Sequence, residues 1–249
     1  MKVVVIGGTG LIGSKVVSKL NAHGHEAIAA APNTGVNTLT GEGLTSVLHG
    51  AQVVVDVSNS PSFEDDAVMV FFRTSTTNLL QAEKEAGVAH HVALSVVGTE
   101  RLDESGYFRA KQAQEALIKD SGVPFSIVHA TQFFEFMKGI ADSATRDDNT
   151  VHLAPIQIQP VYSDDVAAVV GRTAVGEPVG GVVEVAGPDK FQLDDLIRKG
   201  LKAKNDPRTV VSDPMSPYFG ARLQDTTLLP GPAAHLGETR FSEWIAQQK

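Results

Sequence analysis

Two stretches of this sequence combine residue types and spacings that can do chemistry. GGTGLIG places Gly7, Gly10 and Gly13 three residues apart, directly after the apolar run Lys2–Ile6. Glycines at such a turn remove the Cβ atoms that would hold an anion away from backbone N–H groups, and a helix starting there adds its positive end. A dinucleotide pyrophosphate is the ligand this suits. In that reading Gly7 makes the tight turn out of a strand, Gly10 lets the phosphates approach, and Gly13 lets the helix pack on the sheet. Thr9, Leu11 and Ile12 belong to the same binding turn. YFRAK sets Tyr107 and Lys111 four residues apart on one helix face. A lysine ammonium there is expected to depress the tyrosine pKa by stabilising the phenolate. The phenol would then give or take a proton at a carbonyl or alcohol oxygen. Ser95, closing the apolar run His90–Val97, could hydrogen-bond the same oxygen.

Those residues need a scaffold, and the surrounding pattern describes one. Lys2–Ile6, His25–Ala31, Ala51–Val57, His90–Val97 and Phe125–Ala130 read as strands. Helical spacing fills Leu11–Leu20, Leu44–Leu48, a long stretch to about Ala86, and Tyr107–Ser121. Strands alternating with helices predict an α/β fold, a doubly wound parallel sheet with helices on both faces. Ser62 is expected to cap the long helix, with Glu64, Asp65 and Asp66 favouring its positive end and Gly87 closing it. Further strands are expected at Ile156–Tyr162 and Gly181–Gly187, and a helix capped by Ser163 between them. Residues 205–240 read as Pro- and Gly-rich chain with short helices.

Composition narrows the function. The 249 residues suffice for a full core, and 42% hydrophobic with 20% charged residues is ordinary for a globular protein. A net charge of -8 without a basic run argues against nucleic acid or an anionic membrane as partner. With no cysteine, disulfides and thiolate chemistry are excluded, which fits a reducing cytoplasm. Glycines interrupt the apolar N-terminus, so no signal peptide is expected there. No apolar run reaches bilayer length, and no ligand spacing such as H-E-x-x-H points to a metal.

Gly-x-x-Gly-x-x-Gly resembles the glycine turn of the extended and atypical short-chain dehydrogenase/reductases. The turn, LSVVGTE, YFRAK, PVYSDDVA and GVVEVAGPDKF together look like bacterial NmrA-like members of that superfamily. The resemblance implies a Rossmann-type fold, NAD or NADP as cofactor, and a small C-terminal substrate lobe. The chain is accordingly expected to be a single domain over 1–249, its lobe built mainly from about 131–155 and 186–249. Ser95, Tyr107 and Lys111 resemble the family's Ser/Tyr-x-x-x-Lys set, in which the lysine also contacts the nicotinamide ribose. Val57, Ser58 and Asn59 resemble its adenine and ribose contacts. HATQFFEF falls where members contact the nicotinamide carboxamide and the substrate, which nominates Gln132, Phe133 and Phe136, with Phe134 beside them in an apolar pocket. Asn78 matches a stretch common in extended members, with a structural and a catalytic role both open.

For the cofactor, no Asp or Glu occurs from Ala27 through Gly41, so nothing there repels a 2′-phosphate. No Arg or Lys replaces the acid. Asn33 and Thr34 are the donors at hand, with Lys15 a remote cation. NADP is the expectation, with NAD open. The function expected is an NAD(P)H-dependent oxidoreductase acting on a carbonyl or quinone-like, aromatic small molecule. An oxygen-using monooxygenase of an aromatic polyketide pathway, a non-catalytic NAD(P)-binding redox sensor and an isomerase or dehydratase holding NAD are the alternatives. A homodimer is compatible with the resemblance.

Overall fold

The computed structural model describes residues 1–248. In chain order its strands and helices are β1 (Lys2–Ile6), α1 (Leu11–Ala22), β2 (Glu26–Ala30), α2 (Leu44–Leu48), β3 (Val53–Asp56), α3 (Asp65–Ala86), β4 (His90–Val96), α4 (Gly106–Asp120) and β5 (Phe125–Ala130). There follow α5 (Met137–Ser143), β6 (Thr150–Leu153), β7 (Gln157–Ile158), α6 (Ser163–Val175), β8 (Val182–Ala186), β9 (Phe191–Gln192), α7 (Leu193–Ala203), β10 (Thr209–Ser212), β11 (His235–Leu236) and α8 (Phe241–Ala246). A seven-stranded parallel sheet has the order β11-β8-β5-β4-β3-β1-β2. From β1 the chain winds one way to β2 and the other way through β3, β4 and β5. The carboxyl ends of β1 and β3 therefore flank the point where the order reverses, which is where open α/β sheets bind ligands.

The chain divides into two compact units. The first comprises Met1–Ser95, Gly106–His129 and Val166–Val183. Its strands are valine-rich because both sheet faces are covered: Val3, Val4, Val5, Val54 and Val55 have no exposed surface. On one side Leu44, Leu48, Leu79 and Val88 pack against Val4, Ile6 and Val54. Elsewhere Val68 and Phe72 of α3 close on Ala110 of α4. Between α3 and β4 lies a fully buried pair, His91 Nδ1 donating to Glu83 Oε1 at 2.8 Å. Burial lowers the His91 pKa, yet the Glu83 carboxylate more than offsets this and leaves it raised.

The second unit comprises Val96–Ser105, Ala130–Asp165 and the chain from Glu184 onward. Here β6 pairs in parallel with β10, β7 pairs antiparallel with β9, and β11 pairs in parallel with β8. Leu193, Leu196, Ile197 and Leu201 bury one stripe of α7. Phe134 is 1% exposed and sits among Tyr162, Phe241 and Trp244, so it is core rather than pocket wall.

Several local expectations are corrected. Ser62 does not cap α3: Glu64 holds the cap position, and the Ser62 hydroxyl accepts from Glu64 N at 3.2 Å in a turn before it. Ser163 opens α6, but its hydroxyl donates to Glu135 instead of capping. Ile156–Tyr162 shrinks to the two residues of β7, and β10 and β11 fall within 205–240. Asn78 Nδ2 donates to Thr38 O at 2.8 Å and Leu39 O at 3.1 Å, pinning a loop to α3. Among the described residues no helix is long and apolar enough to cross a membrane.

Candidate active site

The glycine turn is built so that side chains have no place in it. Gly7 has φ +74°, and a Cβ there would lie 2.9 Å from Ser58 N. At Gly8 a Cβ would meet Ala29 Cα and Val5 O at 2.6 Å, and at Gly13 it would meet Gly7 O at 2.1 Å. Gly10 differs: its Cβ would meet only Gly7 O, at 3.3 Å. The protein's own packing thus asks less of Gly10 than close approach by a ligand would. Gly10 caps α1 without a side-chain hydrogen bond, and the first turn holds no acidic residue. The first intrahelical bond is Ser14 N to Gly10 O, so the N–H groups of Leu11, Ile12 and Gly13 precede the ladder. Uncapped donors, a helix N-terminus and a Cβ-free turn fit a pyrophosphate.

The walls of this cradle are tied together. Thr9 Oγ1 donates to Asn33 Oδ1 at 3.2 Å, joining the turn to the loop after β2. Thr34 spends its hydroxyl locally, accepting from Ala31 N at 2.9 Å. Val57 N donates to Ile6 O at 3.0 Å. Asp56, 2% exposed at the end of β3, accepts from Ser58 N at 3.0 Å and Ser58 Oγ at 2.6 Å on one oxygen. Asn59 Oδ1 accepts from Ser60 N at 3.0 Å.

From the other side, α4 turns three polar residues inward at i, i+3 and i+4. Lys111 Nζ donates to Leu94 O at 2.9 Å and to Gln114 Oε1, and lies 4.5 Å from the Phe72 ring centroid. Gln114 Nε2 donates to the other Asp56 oxygen at 3.1 Å. Glu115 Oε1 accepts from Ser95 Oγ at 2.7 Å and His129 Nε2 at 2.8 Å, and its Oε2 accepts from Lys119 Nζ at 3.2 Å. Burial pulls Lys111 down to about 8, with Asp56 and Glu115 opposing. For Glu115, burial acts upward, but the His129, Ser95 and Lys119 contacts together bring it down to about 2. Tyr107 packs against Phe63, Phe72 and Phe108 at centroid distances of 5.6, 6.1 and 5.4 Å. Its hydroxyl has no protein hydrogen-bond partner among the described residues.

Two expectations change here. The Tyr107 pKa is not depressed: burial pushes it up to about 12, because Lys111 directs its charge to Leu94 and Gln114. Ser95 does not offer a free donor, since its one proton is held by Glu115. Asp56, Gln114, Glu115, His129 and Phe63 were not singled out from sequence. The available signal was that Gln114 and Glu115 share a helix face with Lys111. In the second unit Gln132 is 8% exposed with both amide atoms unpartnered. Phe133 stacks at a tilt on Phe136, 5.1 Å between centroids, and Phe136 is largely exposed. An open cavity of about 500 Å³, lined by Lys190, Phe191, Lys199, Phe241 and Ile245 among others, includes none of the expected site residues.

The Glu115 cluster carries a pH signature. A carboxylate depressed from 4.5 to about 2 adds stability that is fully present above pH 4.5 and lost as the pH falls toward 2. At ~1.4 kcal/mol per unit this is up to about 3 kcal/mol. Urea denaturation of the wild type and Glu115→Gln is expected to show a stability gap at pH 6 that closes progressively between pH 4.5 and 2. A gap independent of pH would contradict it.

A family model described as NAD(P)H-binding matches residues 7–174. The chain belongs to this family. The match begins at the first glycine of the cradle and takes in α4 and most of α6. The photosystem II assembly factor Ycf39 of Cyanophora paradoxa is 24% identical over 215 residues, 80% of this chain and 67% of that protein. The chloroplastic divinyl chlorophyllide a 8-vinyl-reductase of Cucumis sativus is 28% identical over 224 residues, 76% of this chain but 53% of that protein. The match thus spans about half the length of the second relative. The NADPH-dependent quinone oxidoreductase QOR2 of Escherichia coli, solved with NADPH, shares the fold with a TM-score of 0.72 at 18% identity, covering 99% of each chain. The family match and the shared fold are those of an NAD(P)H-binding chain of Rossmann-type architecture.

Proposed function

We propose that the protein is a cytoplasmic NAD(P)H-dependent reductase of the short-chain type, passing hydride to a carbonyl or quinone-like aromatic small molecule. The observation that carries this reading is Tyr107: a phenol with no protein partner, against the exposed ring of Phe63. A proton donor beside an open aromatic face suits a flat aromatic acceptor. Bound NAD(P)H would supply the hydride. With its pKa near 12, Tyr107 stays protonated at neutral pH and donates its proton to the developing oxyanion. Lys111 holds positive charge beside Leu94 and anchors the nicotinamide ribose. Ser95, its proton committed to Glu115, orients by accepting a hydrogen bond. The likeness to a quinone oxidoreductase agrees with an aromatic acceptor.

The test is turnover of NADPH and NADH against a panel of quinones and aromatic ketones, followed at 340 nm with an oxygen electrode. Oxidation of cofactor without oxygen uptake supports the reductase; stoichiometric oxygen uptake would move the reading to a monooxygenase. A second reading, a non-catalytic redox sensor, is favoured by one observation: Lys111 and Ser95 both spend their hydrogen bonds inside the protein. The likeness to an assembly factor agrees with it. Tight cofactor binding with no turnover on any acceptor would decide for the sensor.

Cofactor choice is read just after β2, where residues 31–41 carry no acid. NADPH is the preferred cofactor in this proposal. Asn33→Asp places a carboxylate where a 2′-phosphate would be repelled and a ribose hydroxyl accepted. The ratio of NADPH to NADH affinity is expected to fall about tenfold or more, equivalent to ~1.4 kcal/mol. Fluorescence titration of both cofactors measures it, and an unchanged ratio would remove Asn33 from the adenosine site.

A further inference from the structure

Gln114 has no acid–base chemistry of its own, yet three parts of the site meet at its amide. Its side chain is buried, with Oε1 accepting from Lys111 and Nε2 donating to Asp56. The amide orientation is therefore assigned by its neighbours: the carbonyl faces the cation and the NH₂ faces the anion. The second oxygen of Asp56 accepts from Ser58 N and Oγ. That same Ser58 N stands 2.9 Å from where a Gly7 Cβ would lie. Hydrogen bonds thus run unbroken from the wall of the glycine cradle to the lysine of the YFRAK motif.

The chemistry of the alternatives explains why an amide is there. A lysine buried against Phe72 with only the Leu94 carbonyl as acceptor would shed its proton. A direct Lys111–Asp56 ion pair would draw the ammonium to β3 and take Asp56 from Ser58. An interposed glutamine keeps a strong acceptor on the cation and a donor on the carboxylate, so both stay where they are. The charged groups facing Lys111 are Asp56 from β3 and Glu115 from α4. β4 offers it the Leu94 carbonyl, and α3 the Phe72 ring.

We propose that Gln114 is a positioning residue: it holds the Lys111 ammonium at the end of β4 and ties it, through Asp56, to the β3 exit turn that walls the cofactor cradle. This rests on the reading of Lys111 as the ribose anchor. The test is a titration of Lys111 in protein prepared without cofactor and labelled with ¹³C at the lysine Cε, the Lys111 signal being assigned with Lys111→Met. The wild-type midpoint is expected near 8. Gln114→Met keeps the volume and removes the acceptor, and its midpoint is expected to fall by a full pH unit or more. Gln114→Glu puts a carboxylate against the ammonium, and its midpoint is expected to rise. If the Met variant does not fold, Gln114→Asn decides: its shorter amide is drawn back from the ammonium, so the midpoint is expected to fall, and an unchanged midpoint would overturn the proposal. Midpoints equal to wild type would overturn the proposal, as a space-filling glutamine would give that result. NADPH affinity at pH 7 is expected to weaken at least tenfold in Gln114→Met, and unchanged affinity would overturn the link to the cradle. Neither measurement involves turnover, so a missing reductase activity counts against the enzyme reading and not against this one.

Discussion

Gly13→Ala is expected to abolish NAD(P)H binding. The added methyl would stand 2.1 Å from Gly7 O and 2.6 Å from Gly8 Cα, both main-chain atoms with no rotamer to escape into. The start of α1 must then move off the end of β1. Overpacking of this kind costs about 1–3 kcal/mol of stability. The larger loss is in the ligand: the Leu11, Ile12 and Gly13 N–H groups shift away from the phosphates they would bind. A fall of about 100-fold in NADPH affinity, ~2.7 kcal/mol, is the expected minimum. Gly10→Ala is the companion measurement. Its methyl would press on Gly7 O alone, at 3.3 Å, a contact the turn must ease by a few tenths of an ångström, so its melting temperature is expected to fall far less than that of Gly13→Ala while binding is lost. Fluorescence titration of NADPH alongside thermal melts separates the two cases. A Gly13→Ala protein that binds NADPH like wild type would show that the cofactor lies elsewhere.

Tyr107→Phe is expected to lower kcat about 10²- to 10⁴-fold, the usual contribution of a positioned general acid. Cofactor affinity is expected to stay within about twofold and the melting temperature to stay put, because the hydroxyl makes no protein hydrogen bond. Undiminished kcat would remove Tyr107 as the acid. The pH profile of the wild type separates the two partners of the motif. Tyr107, held at about 12 by burial, keeps its proton throughout the working range. Lys111, held at about 8, loses its charge as the pH rises through that value. If the ammonium form is the active one, kcat/KM falls between pH 7 and 9 with a midpoint near 8. Rates at 340 nm from pH 6 to 10 measure this, and a flat profile would take the Lys111 charge out of the reaction.

Much of the scaffold was legible because its causes are local. A β-branched run, a glycine at a strand end and a 3.6-residue period each act over a few neighbours. That sufficed for the parallel sheet and the strand-to-helix turn at Gly7. It also placed Ser95 at a strand tip and put Tyr107 and Lys111 on one helix. The weak regions have the opposite character. β6 and β10 are four residues each and exist as a pair made across more than fifty residues of chain.

Side-chain direction was not legible at all. Spacing placed Lys111 beside Tyr107, but whether its ammonium serves the phenol depends on acceptors elsewhere. Gln114 is one of them, itself held by Asp56, 58 residues away. Ser95 looked like a free hydroxyl until Glu115 and His129 arrived from another helix and another strand. The sequence by itself determined the family-level architecture and the Cβ-free turn, because these follow from periodicity and from the absence of a side chain. Tertiary structure alone decided which charges meet, and so which groups keep their protons. Burial and long-range partners set those pKa values, and neither is a property of a short stretch of chain.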